Sequence, residues 1–175
     1  MTGRSTRSVV RKRSVPREAG STSASVQIDQ PFWLQISATN AENLFLINST
    51  LQFDAERLEV VTSESFPIWE AGTLFGDEPE VDVKFRNDDP GLLSIGVSPA
   101  DDDSAGVDGS GEFLRIKMMP KLSGDTSIVW LPDSAAYTPD AETTLRRIDA
   151  TFNPLALQIS GLAGGLIITL KVLPA

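Results

Sequence analysis

The chain has no cysteine and no histidine among its 175 residues, and only one tyrosine and three methionines. The first two absences remove the disulfide framework, the thiolate nucleophile, the imidazole base and the Cys/His zinc site. An enzyme built on this chain would have to run on carboxylates, lysine, hydroxyls or Tyr137. No nucleophile elbow or Ser-x-x-Lys context places a serine for covalent work. The 24 acidic residues offer no pair singled out for glycoside hydrolysis, so an enzyme is not expected. Long apolar runs are also missing. The strongest, residues 159–170, is about 12 residues long with Ser, Gly and Thr inside it, short of the roughly 20 a membrane helix needs. Positive charge is scarce as well: the formal net charge is -9, which argues against nucleic-acid binding by the body of the protein, since phosphate contacts need clustered Lys and Arg.

What positive charge there is lies largely at one end. Residues 1–20 carry Arg4, Arg7, Arg11, Lys12, Arg13 and Arg17 against Glu18, a net +5, while the rest of the chain holds nine basic residues against 23 acidic ones, a net -14. Only Val9, Val10 and Val15 are apolar in this stretch, too few to pack a core, so residues 1–25 read as a flexible basic arm. On a neighbouring copy such an arm would find acidic surface. No apolar run of signal-peptide length follows the basic residues, and Pro16 and Gly20 interrupt any amphipathic transit helix. The chain therefore reads as cytosolic or as a mature form whose leader has been removed, in which case its place is extracellular or at the cell surface.

From Val26 to the end the pattern is period-two alternation broken by turns, the signature of an all-β domain of ordinary size. Phe32, Leu34, Ile36 and Ala38 share one face, and residues 40–43 read as a turn. Phe45, Ile47, Ser49, Leu51 and Phe53 share the next inner face, followed by Leu58 and Val60. Beyond an acidic, Pro- and Gly-containing crossing at 67–80, Val81, Val83 and Phe85 pair across an Asn-Asp-Asp-Pro-Gly turn with Leu93, Ile95 and Val97. Leu114, Ile116 and Met118 mark another strand, with further runs at 128–131, 155–159 and 166–173. Single helical turns fit at 55–58 and 141–146. About nine short strands predict an antiparallel two-sheet sandwich of jelly-roll type. Its buried set is Phe45, Ile47, Leu51, Phe53, Leu58, Val60, Ile95, Leu114, Ile116 and Leu157. The final run, GGLIITLKVL, has high β-propensity and one charge, so an open edge there would invite aggregation. It needs a partner, within the sandwich or on another chain.

The stretch LFLINSTLQFDAERLEVV, ending at Val61, resembles the signature of cohesin-like domains. An aromatic-Asp pair (Phe53, Asp54) ends a strand, one turn follows, and Leu58, Val60 and Val61 return, with Ala55 where the family most often has Pro. A second stretch, GVDGSGEFLRIKMMPKLSGDTSIVWL, is similar to a later motif of the same family through Gly106, Gly109, Gly111, Leu114, Ile116 and Gly124. The likeness runs from about Val26 to Ile159. It implies a nine-stranded sandwich that binds a partner protein, such as a dockerin-like module, on one flat sheet face without chemistry. Carried onto this chain, that face is Leu46, Asn48, Thr50, Gln52, Asp82, Lys84, Arg86, Ser94, Gly96 and Ser98; a plain solvated sheet face would show the same alternation.

Other features bear on function. Residues 101–112 place Asp101, Asp103 and Glu112 at positions 1, 3 and 12 of an EF-hand-like loop with Gly106 at position 6, although position 5 is Ala105 and strands flank it. A solvated acidic loop is the expectation, with no cofactor and at most weak calcium. Trp33, Trp69 and Trp130 would serve a carbohydrate-binding module if they formed an exposed platform. The leading reading is thus a non-catalytic protein-interaction module. Its rivals are a structural subunit of a filament, surface layer or virus particle, joined to neighbouring copies through the arm and the last strand, and a carbohydrate-binding module.

Overall fold

The computed structural model describes residues 22–100, 105–140, 144–161 and, as backbone, 168–174. Asp101, Asp103 and the arm residues Arg4, Arg7, Arg11, Lys12, Arg13 and Arg17 lie outside them. In chain order the strands are β1 (Thr22–Gln27), β2 (Phe32–Leu44), β3 (Leu46–Phe53), β4 (Leu58–Val60), β5 (Thr62–Ser63), β6 (Phe66–Pro67), β7 (Trp69–Ala71) and β8 (Glu80–Arg86). They continue as β9 (Asp89–Ser98), β10 (Val107–Pro120), β11 (Gly124–Trp130), β12 (Ala135–Pro139), β13 (Leu145–Ile148), β14 (Ala150–Phe152), β15 (Leu155–Ser160) and β16 (Ile168–Pro174). No helix occurs among the described residues, and so none is long and apolar enough to cross a membrane.

Two sheets face each other. In the first, β8, β9 and β3 lie side by side. The other edge of β3 is shared by β11, which leads on to β15 and β1, and by β12, which leads on to β13. The second runs β14-β16-β2-β10, with β4 and β7 sharing the far edge of β10. The chain passes between sheets at Phe45, which alone separates β2 from β3; its N–H donates to Tyr137 O at 2.8 Å. Alternate residues of both sheets point inward. Leu34, Ile36, Ile47, Leu51, Leu58, Leu93, Ile95, Phe113, Leu114, Ile116, Met118 and Ile128 are fully buried, and all ten residues expected in the core are buried.

Most pairings are antiparallel, as expected, but the two ends of the chain pair in parallel. β1 lies along β15 and β16 lies along β2, from Ile168 beside Leu34 to Val172 beside Ala38. The antiparallel two-sheet sandwich is thus the arrangement, with these two parallel pairings added among the described residues. A first and a last strand that enter each sheet from the same end of the molecule can only run the same way. β1 begins at Thr22, inside the stretch read as arm. The final strand is no open edge, because its backbone pairs with β2 on one side and β14 on the other. Of the two partners expected for this strand, its own sandwich or another chain, the structure supplies the first.

Two local expectations change. Residues 40–43 are not a turn but the continuation of β2 against β10, with register shifts on either side of Gly109. Asn40 and Asn43 adopt φ of 52° and 48°, the left-handed region that Asn tolerates, and each kinks the strand without ending it. The Asn40 N–H donates to Ser110 Oγ at 2.8 Å and the Asn43 N–H to Asp108 Oδ1 at 2.7 Å. Of the two expected helical turns, residues 55–57 form one, with Asp54 O accepting from Arg57 N–H at 3.1 Å and Leu58 N–H at 2.9 Å. Leu145 and Arg146, in contrast, belong to β13. The β8–β9 hairpin closes through Asn87 and Asp88, both with positive φ, the two-residue turn whose twist matches that of the strands. Where the crossing segment meets β10, Gly72 is required. A Cβ there would lie 2.2 Å from Glu112 O, while the Gly72 N–H donates to Phe113 O at 3.0 Å.

Leu51 and Ile116 fill the middle of the core from opposite sheets. Truncating either to alanine is expected to cost about 2–5 kcal/mol, read as a lower midpoint at unchanged slope in chemical denaturation.

Candidate functional site

The outer face of β8, β9 and β3 is set by the registers of those strands. Asp82, Gly96 and Asn48 form one row and Lys84, Ser94 and Thr50 the next. Inner neighbours Val83, Ile95, Ile47 and Leu51 are buried, so the alternating residues must point outward. The registers thus bring together the residues that the family likeness assigned to one face. Asn48, Gln52, Asp82 and Lys84 are exposed, while Leu46, Arg86, Ser94, Gly96 and Ser98 are half-buried.

Thr50 is different: it is only 4% exposed, so it cannot be a contact residue of this face. The edge of β3 away from β9 is held by β12 at one end and β11 at the other, and the loop between those strands folds over the gap at Thr50. The Thr50 N–H donates to Ser134 Oγ at 3.1 Å, and its carbonyl accepts from Leu131 N–H at 2.8 Å. Arg86 reaches across to donate to Thr50 Oγ1 at 3.1 Å and forms an ion pair with Asp133. Arg86 and Thr50 are therefore committed within the molecule. Asp133 and Ser134 carry no signal in the sequence beyond the turn residues around Pro132, because what they cover is set by the sharing of one strand edge by two others.

At the open end of the face lies a shallow depression of about 430 Å³ lined by Leu46, Glu80, Val81, Asp82, Gly96, Val97 and Ser98. Its floor is apolar and bare of a side chain at Gly96, and its rim is acidic. Lys84 bonds Asp82 at 2.7 Å with both side chains about two-thirds exposed, an ion pair that solvent screens.

The opposite sheet presents a different surface. Lys117 lies over the Trp33 ring, 5.7 Å from its centroid. Arg115 donates to Glu112 Oε1 at 2.7 Å and lies 3.3 Å from Glu70. The hydrogen bond to Glu112, outweighing partial desolvation, moves the Arg115 guanidinium above its ordinary value. The Glu112 carboxylate also accepts from Gln35 Nε2, so this member of the suggested calcium set is occupied by side chains on β2 and β10. Among the described residues no group of three or more acidic side chains is placed to hold a metal. The tryptophans share no platform: Trp33 sits opposite the outward Lys117 and Trp69 opposite the buried Ile116. Trp130 packs edge-on against Phe152 at 5.2 Å and donates its indole N–H to Asn153 O.

No protein-family model matches this chain, and no curated protein matches it in sequence. Solved structures do match. The chain is similar to the seventh ScaB type I cohesin of Pseudobacteroides cellulosolvens, with a TM-score of 0.62 at 16% identity over 82% of this chain and 91% of that one. It is similar to CaCohA2 of Clostridium acetobutylicum, with a TM-score of 0.62 at 14% identity over 82% and 90%. The third ScaC cohesin of Acetivibrio cellulolyticus, solved in complex with the ScaB dockerin, gives 0.61 at 15% identity over 79% and 94%. At such identities the likeness is one of fold.

Proposed function

We propose that this chain, a cohesin-like β-sandwich, is a non-catalytic docking module that seats a dockerin-like partner protein on the outer face of β8, β9 and β3. The observation that carries the reading is the depression around Gly96. Here a half-buried apolar residue, Leu46, and a bare glycine lie beside the exposed Glu80 and Asp82 and the half-buried Ser98, which suits an apolar or basic anchor from a partner. The fold adds support, since matching cohesins of Acetivibrio cellulolyticus were solved in complex with dockerins. Such a module acts where its partner is, at the cell surface or outside the cell.

The test is calorimetric titration of the chain with a panel of recombinant dockerin modules, including those encoded in its own genome. At least one is expected to bind with micromolar or tighter affinity. Gly96→Leu should weaken that binding tenfold or more: a Cβ at Gly96 meets only Asp82 Cβ, at 3.8 Å, so the variant fills the depression without disturbing the backbone. Lys117→Ala, on the other sheet, should leave binding unchanged. Absence of binding across the panel, or an effect of Lys117→Ala that Gly96→Leu does not show, overturns the reading.

Calcium has no part in the proposed docking on this chain's side. Titration with calcium alone is expected to give neither micromolar binding nor a raised melting temperature, since a ligand bound only by the folded state must stabilise it.

A further inference from the structure

The edges of the two sheets are not alike. β8 carries Glu80, Asp82, Lys84 and Arg86, and β13 carries Arg146 and Arg147; β4, β7 and β14 are only three residues long each. Charge and brevity are the usual protections of an open edge. β1, TSASVQ, has neither: six residues with no charge and no proline. Among the described residues it pairs on one side only, with β15. The Ile28 N–H reaches Ser160 O at 3.0 Å, and the alternation of the strand then turns the N–H and C=O of Ser23 and Ser25 away from β15.

We propose that this edge of β1 pairs antiparallel with β1 of a second copy of the chain, making a two-fold dimer with one sheet continuous across both molecules. The register that uses both outward-turned residues sets Ser23 against Ser25 of the second copy, with the two Ala24 residues facing each other. Charge selects a second copy as the occupant. Each β1 is preceded by the +5 stretch of residues 1–20. Antiparallel pairing brings that stretch to the far end of the other copy's β1, where Asp29 is exposed; the exposed Asp125 lies two strands further in, in the row of Ser25 and Gln158. Parallel addition would instead set the two basic stretches side by side. Two short edges alone bury little area, so the attraction between arm and body makes the dimer salt-sensitive.

The full chain is examined by sedimentation over a range of concentrations at low and high salt, about 0.05 and 0.5 M, either side of the point where screening acts over roughly 10 Å. A concentration-dependent dimer is expected, its dissociation constant at least tenfold weaker at high salt. Ser25→Pro removes one N–H that the folded monomer does not use, a change that edge strands tolerate. It should give a monomer with an unshifted melting temperature, and Ser25→Lys provides the same break without altering the backbone. Since the chain has no cysteine, Ala24→Cys should cross-link the dimer on mild oxidation, because directly opposed strand residues lie within disulfide reach. Gly96→Leu should leave dimerisation intact, which separates this inference from the docking face. A parent chain that stays monomeric up to millimolar concentration overturns the proposal. So do Ser25→Pro and Ser25→Lys variants that still dimerise, or an Ala24→Cys dimer that forms equally well in the presence of Ser25→Lys.

Discussion

The sandwich depends on β2 being hydrogen-bonded along both edges. Its inner residues Phe32, Leu34, Ile36 and Ala38 supply one wall of the core, and its backbone is satisfied by β10 on one side and β16 on the other. A core strand with an unsatisfied edge would leave buried or aggregation-prone N–H and C=O groups. The last strand of the chain therefore closes what the first long strand opens. β16 runs parallel to β2 in this closure, and in the other sheet β1 runs parallel to β15 at the rim, where among the described residues it pairs on one side only.

From β2 the chain changes sheets at Phe45 within a single residue, and this abrupt step shapes the proposed docking face. Because β3 enters the first sheet at once, its free edge is long enough to be divided between β11 and β12. The loop that joins them then lands on Thr50, and the Arg86, Asp133 and Thr50 contacts tie that part of the face down. What stays open is the other end, around Gly96, where neither loop nor long side chain intrudes. The face is thus tied down by side-chain contacts at one end and open at the other, the end that the proposed docking uses.

The two proposed surfaces lie on one sheet but use different physics. The depression around Gly96 offers side-chain complementarity on a sheet face. The edge of β1 offers backbone groups, with the opposite charges of the two parts of the chain choosing the orientation. A docking module that also pairs with its own copy would present two such faces per assembly and gain avidity for a partner carrying two docking segments.

Period-two alternation was enough to identify an all-β sandwich and its core, because burial on one face of a strand dictates which residues can be apolar. All ten residues assigned to the core from their spacing are buried, and the face grouping Asn48, Gln52, Asp82 and Lys84 follows from the same rule. Local chemistry misled where one residue type serves two purposes: Asn40 to Asn43 looks like a turn, yet the same tolerance of left-handed backbone makes bulges within a paired strand. Only the tertiary structure decided that Thr50 is covered, that Arg86 is engaged, and that the final strand is internal while β1 is one of the edges. Each of these depends on which strand edges meet. Edge pairing is made by backbone groups that every residue carries, so it leaves almost no trace in side-chain pattern.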